Sequence, residues 1–159
     1  ALDKLKKTYE QDIQEKNIRI VFDNLTLSLM MEVNVEQFSK VLAGILKNSM
    51  YALLKKSETV TFSPEIFLGL KVNKDMLEIT IRDNGSGIDE NIKDKIFAPF
   101  FTTKTTGEAA GVGLYLCREI VQNHRGTIEV ESKKGEYTQF LITIPVYQPK
   151  TITPPKEEE

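Results

Sequence analysis

The sequence predicts an α+β fold: a two-layer α/β sandwich with helices on one face of a mixed, mostly antiparallel sheet. Three observations carry this expectation. Alternating apolar runs come in pairs around short polar turns, as antiparallel hairpins do. Two segments switch to apolar spacings of 3 and 4, the mark of amphipathic helices. The pieces run in the order strands, helix, two strands, long loop, helix, two strands. A helix with one apolar stripe must bury it, and a sheet with one apolar face supplies the place. A parallel doubly wound fold would need single strands alternating with helices, which this order lacks.

Residues 1–16 read as a charged helix, with Leu2, Leu5, Tyr9 and Ile13 near helical spacing. Residues 17–33 alternate and read as two strands around Asp23-Asn24. A helix from Val35 to Lys56 follows, with Asn34 as N-cap and Gln37 completing a capping box. Its apolar stripe is Phe38, Val41, Leu42, Ile45, Leu46, Ser49, Ala52 and Leu53. Ile66–Val72 and Met76–Arg82 form a hairpin through Asn73-Lys74-Asp75. Residues 83–110 are rich in glycine and threonine, with one short helical turn near Glu90–Phe97; so long a loop is usually functional or mobile. A second helix runs from Val112 to His124, and Gly126 is placed to end it in a left-handed conformation. Thr127–Ser132 and Tyr137–Val146 pair around Lys133-Lys134-Gly135. The tail, with three prolines and three terminal glutamates, reads as disordered. The expected division is a preceding helix or linker over 1–16, one domain over 17–147, and a tail over 148–159.

Composition narrows the function. A chain of 159 residues, 40% hydrophobic and 28% charged, suits one soluble domain with a real core. Its net charge of -2 excludes a nucleic-acid surface built on bulk positive charge, so no nucleic-acid partner is expected. One cysteine, Cys117, excludes an internal disulfide and a multi-cysteine zinc site. No apolar run approaches the roughly 20 residues of a membrane span, and no signal pattern is present. A cytoplasmic location is expected, with a longer, membrane-anchored parent left open.

Candidate chemistry starts at Asp83-Asn84-Gly85-Ser86-Gly87-Ile88. Alternate strand residues share a face, so Asp83 continues the row of Leu77, Ile79 and Ile81 and points inward. An inward carboxylate is costly unless something binds it. It is either an acceptor at a pocket floor, waiting for a donor such as an exocyclic amine, or a turn residue accepting backbone N–H groups. On the first long helix Gly44, Asn48, Tyr51 and Lys55 share a polar stripe. That stripe is either a solvated face or an amide oxygen for Mg²⁺ with a lysine for a phosphate chain. Gly111-Val112-Gly113-Leu114 opens the second helix, where exposed N–H groups attract phosphate, although a flexible helix entry looks the same. Phe97-Ala98-Pro99-Phe100-Phe101-Thr102-Thr103-Lys104 places three aromatics on a loop, suited either to closing over a ligand or to core packing. His124, the single histidine, sits where helix capping is common. Ser86 has no base within reach of sequence argument, and Cys117 lies on the inner stripe; a Ser–His or Cys–His nucleophile is therefore poorly supported.

The order of these motifs resembles the N, G1, F and G2 boxes of sensor histidine kinases, within the group that includes DNA gyrase, Hsp90 and MutL. Gly126-Thr127-Ile128-Glu129-Val130-Glu131-Ser132 and Gly135-Glu136-Tyr137-Thr138-Gln139-Phe140 resemble the kinase ending. The Pro-Phe-Phe-Thr-Thr-Lys form is similar to the nitrogen-regulator type. The likeness covers roughly residues 17–146 and implies the Bergerat-type ATP-binding fold, with ATP and Mg²⁺ as cofactors. It implies that Asn48 ligates Mg²⁺ and that Lys55 approaches the phosphates. Asp83 would accept the adenine amino group, with Ala52, Gly85, Gly87 and Ile88 around the base and Thr138 supporting it. Residues 98–110 would be the lid, bringing Phe97, Phe101, Thr102, Thr103 and Lys104 to the nucleotide. Gly111, Val112, Gly113 and Leu114 would cradle phosphates. The implied partners are a dimerisation domain carrying the phosphoacceptor histidine and a downstream response regulator, the fragment being monomeric and its parent a homodimer.

Three departures from the pattern stand out. Gly44 replaces a polar residue four positions before Asn48, which in the ATPase members is a water-activating glutamate. Gly107-Glu108-Ala109-Ala110 replaces a more glycine-rich lid, and the phosphoacceptor motif is absent. The rival readings are a nucleotide-sensing or docking module without kinase activity, an ATPase clamp of the gyrase or MutL kind, and a serine-kinase anti-sigma factor.

Overall fold

Five strands form one sheet in the order β1-β2-β3-β5-β4 in a computed structural model that describes residues 2–23, 35–101 and 113–145. The strands are β1 (Arg19–Phe22), β2 (Glu65–Asn73), β3 (Met76–Asp83), β4 (Thr127–Lys133) and β5 (Tyr137–Pro145). β1 pairs with β2 in parallel, and the other three pairings are antiparallel, so the sheet is mixed and mostly antiparallel. The second strand expected before residue 34, the Asn34 cap and the tail lie outside the described residues.

Helices α1 (Leu2–Thr8), α2 (Glu10–Glu15), α3 (Val35–Ser57) and α4 (Gly113–Asn123) complete the fold, with a 3₁₀ turn at Lys93–Lys95. The inner face of the sheet carries Ile66, Leu77, Ile79, Ile81, Phe140, Ile142 and Ile144. Against it α3 lays Val41, Ile45, Leu46, Met50 and Leu53, and α4 lays Cys117, Ile120 and Val121. Each such aliphatic side chain contributes about 2 kcal/mol on leaving water, so this layer dominates the stability. Met50, outside the expected stripe, is fully buried as well.

Two expectations need correction. Residues 1–16 are not one helix: Tyr9 breaks it with φ -110° and ψ 20°. Tyr9 and Ile13 both pack against the core, so apolar spacing continues across the break and conceals it. Gly126 is not the left-handed residue that ends α4; Arg125 is, at φ 58°. The Gly126 N–H donates to Val121 O (2.9 Å) and the Arg125 N–H to Gln122 O (2.9 Å), a Schellman closure with glycine one position later. Gly126 is glycine for another reason, since a Cβ there would lie 2.5 Å from Thr143 O on β5.

α3 and α4 cross at Gly44, where a Cβ would stand 2.8 Å from Cys117 Sγ. Burial pushes the Cys117 thiol up to about 12, which makes it a packing group rather than a nucleophile. Gly44→Ala is expected to gain helix propensity yet lose more to overpacking, for a net loss of about 1 kcal/mol. Adding Cys117→Ala should recover at least that amount relative to the two single variants. A double-mutant cycle by urea unfolding measures this, and strict additivity would contradict the contact.

Candidate functional site

Asp83 is the last residue of β3, and strand parity turns it inward among the apolar row, where 2% of its surface is exposed. The register sets Thr138 of β5 opposite it on one side and Ile66 of β2 on the other. Gly85 N–H donates to Asp83 Oδ1 at 3.0 Å, the local turn bond. The inward acceptor and the turn residue are therefore one and the same arrangement. Burial raises the Asp83 carboxyl to about 6, with Gly85 N–H, Ser49, Lys56 and Arg82 all holding it lower than burial alone would. One bond from Gly85 leaves most of a carboxylate's acceptor capacity open to a donor.

The loop after Asp83 is stapled on three sides. Asn84 Oδ1 accepts the Glu65 N–H (2.8 Å) and its Nδ2 donates to Ser63 O (2.8 Å), tying the loop to the start of β2. Lys56 Nζ donates to Asn84 O (2.8 Å) while lying over the Phe62 ring. Ser86 N–H donates to Ala52 O on α3 (3.1 Å), and a Cβ on Gly85 would stand 2.7 Å from the Ala52 carbonyl carbon. Gly135 N–H donates to Ser86 O (2.7 Å), and Ile88 N–H to Ser132 Oγ (2.8 Å). Ser132 Oγ is also 3.0 Å from Thr138 Oγ1, and Lys134 pairs with Asp89 at 2.7 Å. Gly87, at φ +65°, has Lys133 O where its Cβ would be, at 2.2 Å. The close approach permitted by Gly85 and Gly87 is thus an approach of protein backbone.

The other sequence-derived candidates lie on α3, in the segment between β3 and α4, and on α4. Asn48 and Ala52 are half-buried on α3, and Lys55 is exposed one turn beyond Tyr51. Ile88, Phe97, Phe101 and Leu114 pack against the core. Phe97 meets Phe140 edge to face at 6.3 Å, but Phe100, expected to share in that packing, is 77% exposed at φ 62°. Gly113 opens α4 with open space around its Cβ position. His124 Nδ1 lies 2.8 Å from Ile120 O, a helix-end role. Thr102, Thr103, Lys104, Gly111 and Val112 fall outside the described residues.

Sequence reasoning missed four residues. Ser49 was counted into the apolar stripe, yet its buried Oγ has no hydrogen-bond partner. Lys56, Asn84 and Ser132 position the loop, and only Asn84 had a readable signal, the turn chemistry of Asp-Asn-Gly. No group of three His, Cys, Asp or Glu suited to a metal occurs among the described residues. A separate groove of 460 Å³ lies between α1, α2 and β1, lined by Lys6, Lys7, Glu10, Ile13, Ile18 and Ile20; it shares no residue with the Asp83 floor. Among the described residues no helix is long and apolar enough to cross a membrane.

A helix-covered mixed sheet with a buried acid ending its central strand and α3 against the loop that follows defines an ATPase-type α/β sandwich. Residues 34–148 match the histidine kinase-, DNA gyrase B- and HSP90-like ATPase family, and the chain belongs to that family. Cyanobacterial phytochrome A of Nostoc sp. (strain PCC 7120) is 35% identical over 149 residues, covering 92% of this chain and 18% of that protein. Sensor histidine kinase ZraS of Salmonella typhi is 29% identical over 136 residues, covering 86% of this chain and 28% of that protein. The chain therefore spans less than a third of either relative. The nucleotide-free catalytic domain of histidine kinase ThkA superposes with a TM-score of 0.72 at 28% identity, over 91% of this chain and 89% of that one. Full-length ShkA, crystallised with AMPPNP, shares the fold at a TM-score of 0.74 and 16% identity, over 93% of this chain and 30% of that one.

Proposed function

We propose that this chain is the ATP-binding catalytic domain of a sensor histidine kinase, presenting the γ-phosphoryl group of ATP to a histidine on a separate dimerisation domain. The observation that carries this reading is the buried Asp83 carboxylate, opposite Thr138 and mostly unsatisfied, at the end of an otherwise apolar row. A buried acceptor of that kind selects a ligand with a matching donor, and the adenine amino group is one. Thr138, buried beside it, supports the same end, with Ala52, Gly85, Gly87 and Ile88 forming the surrounding wall.

At the other end, the first N–H groups of α4 around Gly113 and Leu114 attract phosphate, helped by the helix dipole. Lys55 is exposed and has the reach of a long side chain to meet the phosphate chain. The family resemblance gives residues 98–110, with Thr102, Thr103 and Lys104, the role of a lid, and gives Gly111 and Val112 the role of phosphate contacts. Asn48 would hold Mg²⁺, which neutralises developing charge in phosphoryl transfer. The partners are the phosphoacceptor domain of the same protein, reached through residues 1–16, and a response regulator downstream.

Titration with Mg²⁺ and a non-hydrolysable ATP analogue should show saturable one-to-one binding, and Asn48→Ala should flatten its Mg²⁺ dependence. Unaltered Mg²⁺ dependence would remove the metal role from Asn48. Gly44, with Cys117 filling the space beside it, favours a second reading: an ATP-sensing module that binds without transferring. Adding the chain and ATP to a separately supplied phosphoacceptor domain separates the two. Label appearing on its histidine supports the kinase, and binding without label supports the sensor.

A further inference from the structure

One missing side chain sets how closely α3 and α4 approach. A Cβ on Gly44 would meet Cys117 Sγ at 2.8 Å, and the next atom, Gly113 O, only at 3.9 Å. The sulfur is confined: Cys117 is 2% exposed, and its thiol donates to Val41 O at 3.6 Å. These contacts also fix how the helices run. Cys117 meets both Val41 and Gly44, while Gly113, one turn earlier on α4, lies level with Gly44. Moving along α3 toward Asn48 therefore moves along α4 toward its first residue. Asn48 shares the Gly44 stripe one turn on, on the side of the open end of α4. Among the described residues nothing stands within 4 Å of the Gly113 Cβ position there.

We propose that Gly44 is a positioning residue for the phosphate end of the site, its missing side chain letting the first turn of α4 seat against the Asn48 face of α3. This rests on the reading of that first turn as the phosphate contact. Ordinary non-bonded contact needs roughly 3.5–4.0 Å, so an alanine at 44 would push α4 away by about 1 Å. A close-packed interface passes such a displacement on instead of absorbing it. Hydrogen bonds from helix N–H groups to a phosphate are short and directional, so a shift of that size weakens them. The Asp83 end is held differently, its loop being tied to Ala52 on α3, to Glu65 on β2 and to Gly135 in the β4–β5 turn. The effect of position 44 should therefore follow the phosphates and not the nucleoside.

The test compares ATP with adenosine, which keeps the base and lacks the phosphates, by competition against a fluorescent ATP analogue on the full chain. The wild type should prefer ATP by tenfold or more. Gly44→Ala should lose about tenfold for ATP and less than about twofold for adenosine. Cys117→Ala removes the one atom nearer than ordinary contact. Combined with Gly44→Ala, it should bring ATP affinity back to within about threefold of the wild type, the new methyl filling the space of the sulfur. Cys117→Val crowds the same gap from the α4 side and should show the same split between ligands, which keeps the test decisive where Gly44→Ala does not fold. Equal losses for both ligands, no loss for ATP, or a double variant that binds ATP no better than Gly44→Ala would each overturn the role of Gly44 while leaving the phosphate reading in place. A wild type that prefers ATP no more than adenosine overturns the phosphate reading itself, and this inference with it.

Discussion

Asp83→Asn should raise the melting temperature of the ligand-free chain at pH 8 while removing most of its affinity for ATP. The Asp83 carboxyl is raised from 3.8 to about 6 by burial. The folded protein thus holds the proton more tightly than the unfolded chain does. The resulting stabilisation is fully present below about pH 4, declines as pH rises through about 6, and is gone above that. At pH 8 the folded state carries the whole cost of a buried charge, of order 2–3 kcal/mol by linkage. Asparagine has the same shape, can still accept the Gly85 N–H, and carries no charge to desolvate. Lys56 and Arg82 would lose an attractive partner, which returns part of the gain. A net 1–2 kcal/mol corresponds to roughly 3–6 °C for a chain of this size. At pH 4 the two melting curves should converge. Affinity should move the other way, by about a hundredfold, because a charged acceptor buried against its donor is replaced by a neutral one. In the wild type, affinity should also fall as pH drops through about 6, and that dependence should vanish in the variant. Identical melting at pH 8 would mean the carboxylate is not desolvated; unchanged ATP affinity would end its role in base recognition.

What was legible beforehand divides along physical lines. Periodicity reports which way a side chain faces, and facing was read well: Asp83 from strand parity, the α3 stripe from helical spacing, the hairpins from alternation. Periodicity does not report what stands opposite. Gly85, Gly87 and Gly126 are glycines because Ala52, Lys133 and Thr143 backbone occupies their Cβ positions, and those partners lie far away in sequence. The same blindness hid Ser49, whose spacing is that of an apolar core residue while its buried hydroxyl has no hydrogen-bond partner. Lys55 and Lys56 illustrate the angular limit. One residue turns the helix by about 100°; Lys55 points to solvent, and Lys56 reaches Asn84 O and Phe62. The break at Tyr9 was invisible because both short helices keep the same apolar rhythm. The site as a whole was legible only as an ordered set of motifs, since α3, the end of β3 and the start of α4 meet through tertiary packing alone.

Gly87→Ala should be the most damaging small substitution in the loop, costing about 3 kcal/mol or more. Two separate costs add. At φ +65° an alanine pays about 1 kcal/mol or more for a left-handed backbone. Its Cβ would also stand 2.2 Å from Lys133 O and 2.8 Å from Lys134 Cα, both main-chain atoms with no rotamer to change. Relief would require the β4–β5 turn to withdraw, which breaks Gly135 N–H to Ser86 O and strains Ile88 N–H to Ser132 Oγ. Gly135 supplies the internal control. It too is left-handed, at φ +81°, but nothing lies near its Cβ position, so Gly135→Ala should cost only the backbone term. Urea unfolding of the two variants should therefore separate them by about 2 kcal/mol at similar m-values. The difference has a functional counterpart, because Ser132 bridges Ile88 to Thr138, the residue facing Asp83. Below its lowered melting temperature Gly87→Ala should still bind ATP more weakly than Gly135→Ala does, since the loop that sets Asp83 is no longer held against the turn. Equal stabilities for the two variants would mean that the β4–β5 turn yields freely, and the rigid floor built on Asp83 and Thr138 would have to be abandoned.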